Sequence, residues 1–409
     1  MTPEERLIRY AKINTVSDPE SPTVPSSACQ LDLLKVLKEE MEQLGIQEVR
    51  EDQGYLYGRI PSNLDYEVPT VGFIAHMDTA PDFCGEGVNP RIISQYDGKD
   101  IALNDKITLK VSDFPNMVRY TGQDLIVTDG NTLLGADDKA GIADILTMAE
   151  TLLTHPEIKH GEIRIGFTPD EEIGRGADLF DVANFHADFA YTVDGGEMEA
   201  ISDETFNAAS AKVTVQGFSI HPGSAKHKMI NSLNVAMEFH AMLPVFNRPE
   251  YTEGTEGFNH LNNMEGNVEQ TVMEYIIRNH DSEQFQAQMA TMKAAETYMN
   301  QKYGQPLVQV EIKESYRNMK EILKDQEWIV DLAKQAITEA GLQPWVEKVR
   351  GGTDGARLTF MGLPCPNLGT GGANCHGRYE VCSVQEMHKV IEILLNIVKA
   401  TTNLRNRKG

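Results

Sequence analysis

Histidines and carboxylates stand at the ends of apolar runs in this chain of 409 residues, and divalent metal ions bind such side chains. Imidazole nitrogens and carboxylate oxygens ligate Zn²⁺ in catalytic sites, and a further carboxylate that binds no metal can transfer a proton. The residues of these types that follow apolar runs or lie in glycine-flanked loops are His76, Asp78, Asp137, Glu171, Glu172, Asp194 and His376. The set predicts a site for two Zn²⁺ ions with a general base.

Three apolar runs, residues 70–75, 163–168 and 189–193, are typical of buried strands, and helical or loop sequence separates them. This alternating order predicts an α/β fold with a mostly parallel sheet and flanking helices. The first run stops before His76 and the third before Asp194. Since ligands gather outside the carboxyl ends of the strands in such sheets, we expect the polar side chains to meet at one edge.

Asp78 stands two residues after His76, and residues two apart on a strand face the same side. The Asp78 carboxylate could therefore accept a hydrogen bond from the far ring nitrogen of His76. This contact would fix the tautomer while the other nitrogen binds metal. The alternative is a solvated strand end.

The other residues also have ordinary explanations when each is taken alone. Asp137 and Asp138 precede Lys139, and an acidic pair at a helix start is favoured by the helix dipole. Asp194 precedes two glycines and suits a turn, while His376 suits a surface loop. Because five such coincidences would have to fall at the same edge of the sheet, the joint pattern favours the metal site.

A length of 409 residues predicts two domains, because single cores rarely exceed about 250 to 300 residues. Short alternations around Val213 and Val310 flank a helical pattern at 281–299, which predicts an inserted α+β domain at 207–313. The remaining segments, 1–206 and 314–409, would form one discontinuous catalytic domain.

The composition bounds the partners and the location of the protein. There are 61 Asp and Glu against 37 Lys and Arg, and the net charge of −24 opposes binding to nucleic acid or anionic lipid. Neither a signal peptide nor an apolar run of about 18 residues is present, so no membrane contact is expected. The five cysteines are scattered without a C-x-x-C pair, which favours reduced thiols and a cytosolic protein.

Five motifs together resemble those of the dinuclear zinc metallopeptidase family that includes aminoacylases and glutamate carboxypeptidases, in particular its tripeptide aminopeptidases. The motifs are HMDTAP at 76–81, GADDKAG at 135–141, PDEE at 169–172, VDGG at 193–196 and HGRYE at 376–380. The resemblance covers essentially the whole chain in order, including the insert and a loop at 82–101 that other members of the family lack.

The resemblance implies a role for each of these residues. One Zn²⁺ would be bound by His76 and Asp194, the other by Glu172 and His376, and Asp137 would bridge both. It also implies a cis peptide bond between Asp137 and Asp138. Each ion would then have three protein ligands and an open position, as catalytic zinc requires.

The activity that the resemblance implies is release of the N-terminal residue from a tripeptide. A hydroxide that bridges the two ions would attack the scissile carbonyl, with Glu171 as the general base and Asp78 as the residue that orients His76. The substrate-binding residues would be His221, Arg278 and Arg350. For the arginines the alternative is a surface salt bridge, and for His221 an exposed histidine without a role.

The resemblance further implies that the insert closes over the substrate as a lid and measures its length, and it could also pair two subunits in a homodimer. A dipeptidase or an N-acyl amino acid deacylase of the same family is the competing function. A scaffold that retains the fold without turnover is a third reading. The free carboxylate of Glu171 argues against it, because a purely structural site would not need one.

Overall fold

The computed structural model describes residues 1–404. The α-helices are α1 (Pro3–Ala11), α2 (Gln30–Leu44), α3 (Ala136–Thr154), α4 (Val182–Phe185), α5 (Ser232–Met242), α6 (Ser282–Tyr303), α7 (Lys320–Leu323), α8 (Glu327–Glu339), α9 (Asp354–Phe360) and α10 (Val384–Thr401). The β-strands are β1 (Gln47–Asp52), β2 (Tyr55–Ile60), β3 (Val71–His76), β4 (Arg91–Ile93), β5 (Ile101–Ala102), β6 (Thr108–Leu109), β7 (Leu125–Val127), β8 (Ile163–Thr168), β9 (Phe189–Gly195), β10 (Ala200–Thr205), β11 (Asn207–Gln216), β12 (Phe258–Gly266), β13 (Gln270–Asn279), β14 (Val308–Tyr316), β15 (Trp345–Val349), β16 (Asn367–Gly369), β17 (Gly372–Ala373) and β18 (Val381–Ser383). In this described part of the chain, no helix is both long and apolar enough to cross a bilayer.

The chain divides into two compact units, and the first comprises Met1–Asp203, Ile322–Glu347 and the chain from Thr353. Its main sheet has the strand order β1-β2-β8-β3-β9-β16-β10-β15. The central strands β8, β3, β9 and β16 are parallel, which confirms the predicted α/β core. The predicted strands 70–75, 163–168 and 189–193 correspond to β3, β8 and β9.

The outer strands of this sheet are antiparallel, so the sheet is mixed. β1 pairs with β2, β2 with β8, and β10 with β16 in antiparallel orientation. Gln53 and Gly54, both with positive φ, join β1 to β2 in a tight turn, and a short connection of this kind permits only an antiparallel pair. The apolar pattern did not indicate β1, because most of its residues are polar and none is buried.

The central strands are buried on both faces, which explains their unbroken apolar sequence. In β3, Phe73 belongs to the apolar core shared with α1, α3, α8 and α10, whereas the next residue, Ile74, belongs to a second core that includes Phe180 and Leu358. Successive side chains of a strand point to opposite faces, so both cores hold β3 in place. The helices flank the sheet as predicted.

A smaller sheet in the same unit has the order β17-β18-β7-β4. These short strands and the β5-β6 hairpin surround a separate apolar core that includes Tyr96, Met117 and Val381. This sheet was not predicted, because strands of two or three residues are too short to show a period. β18 leads directly into α10.

The second unit comprises Glu204–Glu321 and Lys348–Gly352. Its antiparallel sheet has the order β12-β13-β11-β14, and an apolar core joins it to α5 and α6. The predicted insert, 207–313, does not include Lys348–Gly352, where the chain enters the second unit again. This segment was not predicted because it is short and has no apolar pattern.

Candidate metal centre

The predicted metal ligands of the first unit lie together at the carboxyl edge of its parallel strands. His76 is the last residue of β3, and Asp194 is near the end of β9. Glu172 lies in a 3₁₀ turn, Glu171–Ile173, that begins shortly after β8. Because these three strands are parallel neighbours, their ends bring the side chains to one place.

Asp137 reaches the same place from the start of α3. Gly135, with φ 76°, precedes it in a left-handed conformation that favours glycine. One helical turn later, a Cβ on Gly141 would lie 1.9 Å from the carbonyl oxygen of Val193, so glycine is required for α3 to pack directly on β9. The peptide bond between Asp137 and Asp138 is cis, which confirms the prediction.

One group of possible ligands contains His76, Asp137 and Asp194. Nε2 of His76 lies 3.0 Å from Oδ1 of Asp137 and 3.4 Å from Oδ1 of Asp194. The His76 side chain is buried, with only 2 % of its surface exposed. The three ligand atoms therefore face one another in a protected corner of the site.

A second group contains Asp137, Glu172 and His376. Nε2 of His376 lies 3.0 Å from Oε2 of Glu172 and 3.5 Å from Oδ2 of Asp137. His376 is half-exposed, so this side of the site is open to solvent. Asp137 presents one carboxylate oxygen to each histidine, which is the arrangement that a bridging ligand requires.

Each histidine also has a carboxylate beside its other ring nitrogen. Nδ1 of His76 lies 3.2 Å from Oδ1 of Asp78 and 3.1 Å from the backbone oxygen of the same residue. Nδ1 of His376 lies 3.5 Å from Oδ2 of Asp82, which is exposed. Asp78 was predicted to lie here, whereas Asp82, in the loop at 82–101, was not assigned a role from the sequence.

The site contains more carboxyl groups than cationic side chains, and this imbalance shifts several pKa values. Burial and the charge of Asp137 raise the pKa of Glu172 to about 7. Hydrogen bonds to Asp137 and Glu172 raise the pKa of His376 to about 11. Burial alone would lower the pKa of His76, but the charge of Asp194 and the surrounding hydrogen bonds raise it well above its ordinary value. The carboxylates therefore favour the protonated form of both imidazoles, and a metal ion bound at the ring nitrogens would displace those protons.

A buried oxygen of a possible metal ligand that lacks a hydrogen-bond partner indicates that the site fits a metal ion. Oε1 of Glu172 is buried and has no hydrogen-bond partner. An ionised oxygen in that position is costly unless a cation compensates it. The donor set, two imidazoles and three carboxylates, also matches the preferences of Zn²⁺, so the residues present fit two such ions.

Glu171 is adjacent to this cluster but belongs to neither group of ligands. Its backbone N–H donates to Oδ1 of Asp78 at 2.9 Å, and the N–H of Glu172 donates to Oδ2 at 3.2 Å. Burial and the charge of Asp194 raise the pKa of Glu171 well above its ordinary value. A buried carboxyl with a raised pKa, next to the ligand groups but outside them, suits proton transfer.

Sequence reasoning missed two further acids that organise the site. Oδ2 of Asp138 accepts the backbone N–H of His76 at 3.2 Å, and Oδ1 accepts that of Gly141 at the same distance. Glu380 accepts three backbone N–H groups of the loop that carries Asp137. Both residues lie inside the motifs quoted above. Their contacts with the backbone around the proposed ligands are visible only in the structure.

The predicted substrate residues belong to the second unit. His221 is exposed at the start of a 3₁₀ turn, and its Nδ1 accepts the N–H of Gly223 at 3.1 Å. Arg278 is partly buried, donates to the backbone oxygen of Ile277 at 3.0 Å and lies over the ring of Tyr316. These contacts leave the roles of His221 and Arg278 in substrate binding as predictions.

Arg350 is engaged within the second unit. Its guanidinium donates to the backbone oxygens of Gly254 at 2.7 Å and Glu256 at 3.0 Å, and it lies 5.2 Å from the ring centre of Phe206. The partners are backbone carbonyls, the Thr252 hydroxyl at 3.0 Å and an aromatic ring, whereas the sequence alternative was a surface salt bridge. Arg350 therefore stabilises the loop before β12. Its contact with substrate stays a prediction.

The chain is similar to known proteins over nearly its whole length. The family described as Peptidase family M20/M25/M40 matches residues 127–400. A protein named Peptidase T from Geobacillus thermodenitrificans is 53 % identical over 97 % of each chain. The crystal structure of aminopeptidase PepT from Bacillus cereus has a TM-score of 0.77 at 26 % identity and covers 98 % of this chain and 99 % of that one. A tripeptidase from Staphylococcus aureus, at 23 % identity, TM-score 0.79 and 98 % coverage of each chain, shares the fold.

Proposed function

The chain belongs to the peptidase family M20/M25/M40, and we propose that it is a metallo-aminopeptidase that removes the N-terminal residue from tripeptides. The single observation that carries the chemistry is the pair of three-residue ligand groups that share Asp137. The names and similarity of the relatives support the substrate class.

Two Zn²⁺ ions are proposed as the resident metals. His76 and Asp194 would hold one, Glu172 and His376 the other, and Asp137 would contact both. When bound, such ions polarise the scissile carbonyl and supply a water-derived nucleophile near neutral pH. The unpartnered Oε1 of Glu172 supports this assignment, because a cation would satisfy it.

Glu171 is the proposed general base. Its carboxylate would take the proton of the attacking water and deliver it to the departing amine. Two bound Zn²⁺ ions would lower the pKa of Glu171 and so oppose the effect of burial, because a nearby positive charge favours the ionised form of a carboxyl. Asp78 supports this step through the backbone, since its carboxylate fixes the amides of Glu171 and Glu172.

The substrate contacts remain proposals that rest on the chemistry of the side chains. Arg278 would bind the terminal carboxylate of the peptide, because a guanidinium forms strong paired hydrogen bonds with carboxylates. His221 would stabilise the developing oxyanion or nearby substrate groups, and Arg350 is the third proposed contact. Closure of the inserted domain as a lid and pairing of two subunits through it are proposed on the same basis.

A cytosolic location is also proposed. The five cysteines, Cys29, Cys84, Cys365, Cys375 and Cys382, are free thiols. Free thiols without disulfides fit a reducing compartment. The net charge of −24 supports small peptides, and not nucleic acid or anionic membranes, as partners.

The test is release of the first amino acid from unblocked di-, tri- and tetrapeptides, with N-acetylated tripeptides alongside. We expect the highest kcat/KM for the free tripeptide, loss of activity after a chelator and recovery on addition of Zn²⁺. Faster turnover of dipeptides or of N-acetylated substrates would replace the proposal with a dipeptidase or a deacylase. Activity that resists the chelator would contradict the metal site.

A further inference from the structure

We infer that Glu380 is a positioning residue that holds Asp137 between the two ligand groups. Oε2 of Glu380 accepts the backbone N–H groups of Leu134 and Gly135, both at 2.7 Å. Oε1 accepts the N–H of Asp137 at 3.0 Å. One carboxylate therefore binds three amides within the four-residue stretch that ends at Asp137.

Only 2 % of the Glu380 surface is exposed, and two of these hydrogen bonds are buried while the one from Asp137 is partly buried. Because Glu380 itself is shielded from solvent, water competes little for its acceptor oxygens. The loop has no regular secondary structure before α3, and Gly135 is left-handed. Its amides would otherwise lack partners, so the carboxylate determines the path of the backbone.

Glu380 also connects this loop to the one that carries His376. Both residues lie in a short segment that follows β17 and precedes β18, and the N–H of Glu380 donates to the backbone oxygen of Gly377 at 3.3 Å. Val381, the next residue, is paired with Val127 in the small sheet. Glu380 thus links two loops next to β18. Its carboxylate contacts the loop of Asp137, and its backbone belongs to the loop of His376.

This connection affects the geometry of the second ligand group. Its members Asp137 and His376 come from loops that lie far apart in sequence, so their separation depends on what joins those loops. Glu380 joins them without ligating an ion or contacting the proposed base. Outer residues that orient ligands typically control metal affinity by about 10- to 100-fold. This inference rests on the proposed function, because it assumes that both groups bind metal.

The experiment uses chelator-treated full-length protein. Zn²⁺ affinity is measured well below the melting temperature, and thermal stability is measured separately. The variants are Glu380→Gln, which removes one acceptor oxygen, and Glu380→Asp, which keeps the charge but withdraws it by one methylene. The matched control is Glu40→Gln. Glu40 is also buried and accepts three hydrogen bonds, from Arg6, Arg9 and Tyr10, but it joins α1 to α2 and touches no ligand loop.

We expect both Glu380 variants to bind Zn²⁺ about 10-fold or more weakly than the wild type, and Glu40→Gln to melt earlier with unchanged affinity. If Glu380→Gln does not fold, Glu380→Asp decides. Wild-type affinity in the Glu380 variants, or an equal loss of affinity in Glu40→Gln, would overturn the inference. A wild type that binds fewer than two ions would instead contradict the proposed function.

Discussion

The carboxylate of Asp78 accepts the backbone N–H of Glu171 at 2.9 Å while the same oxygen, Oδ1, lies 3.2 Å from Nδ1 of His76. Asp78 is fully buried. One side chain therefore orients a proposed metal ligand and the residue proposed as general base. The His76 ring and the Glu171 backbone are therefore coupled, since both contact the same carboxylate oxygen of Asp78.

The first prediction concerns the proton transfer assigned to Glu171. Glu171→Gln preserves the size of the side chain and the backbone hydrogen bond to Asp78, but it removes the basic oxygen. We expect kcat for a tripeptide to fall about 100-fold or more with both metal ions retained, because general base catalysis contributes factors of this size. Near-normal kcat in a variant with full metal content by elemental analysis would remove Glu171 from the reaction.

The second prediction concerns the shared ligand. Asp137 presents one oxygen to His76 and the other to His376. Asp137→Ala should therefore lower metal content at both positions, whereas Asp194→Ala should lower it mainly at the position beside His76. Elemental analysis after dialysis against Zn²⁺-free buffer measures the difference. Two retained ions per chain in the Asp137 variant would show that this residue does not bridge.

The third prediction concerns recognition of the peptide carboxylate. Arg278→Ala should raise KM for tripeptides far more than for the same tripeptides with C-terminal amides, because only the free carboxylate can pair with the guanidinium. Arg317→Ala is the control, since Arg317 is exposed in the same unit and pairs with Glu314. Equal changes of KM for acids and amides would exclude Arg278 from this role.

The fourth prediction concerns the pH dependence of stability at Glu386. This buried carboxyl lies 3.1 Å from Arg119, which also pairs with Glu197 and Glu199. One guanidinium does not balance three carboxylates, and burial raises the pKa of Glu386 to about 7. The folded protein then keeps a proton that the unfolded chain releases above about pH 4.3. The stabilisation from this group is complete below that pH and is lost as the pH rises through about 7.

Comparison of the wild type with Glu386→Gln isolates this contribution, because the amide does not titrate and other groups cancel. We expect the wild type to lose about 1 kcal/mol of unfolding free energy relative to the variant between pH 6 and 8. Urea denaturation of the two proteins in the same metal state measures it. Parallel pH profiles would mean that Glu386 is ionised in the folded protein throughout this range.

The central fold and the position of the ligands could be predicted from the sequence because both depend on strong local patterns. β3, β8 and β9 are buried on both faces, so their sequences are continuous apolar runs, and parallel strands place the residues at their carboxyl ends along one edge. His76 and Asp194 were therefore expected to lie close together, and they do. Their metal-binding roles stay predictions.

The contacts that position the site were harder to predict because they join a side chain to distant backbone. Glu380 accepts amides from residues more than 240 positions earlier in the chain, and a backbone donor leaves no mark on residue type. Arg350 shows the same limit, since its acceptors are carbonyls at Gly254 and Glu256. The antiparallel outer strands were not predicted for another reason, because polar edge strands such as β1 carry no apolar period.

The most direct measurement is anomalous diffraction at the zinc edge from crystals of the full-length protein grown with Zn²⁺. The proposed site predicts two peaks roughly 3.5 to 4 Å apart, with the carboxylate of Asp137 between them, His76 beside one and His376 beside the other. A single peak, or the absence of peaks at these residues in saturating Zn²⁺, would contradict the dinuclear site on which the proposed activity depends.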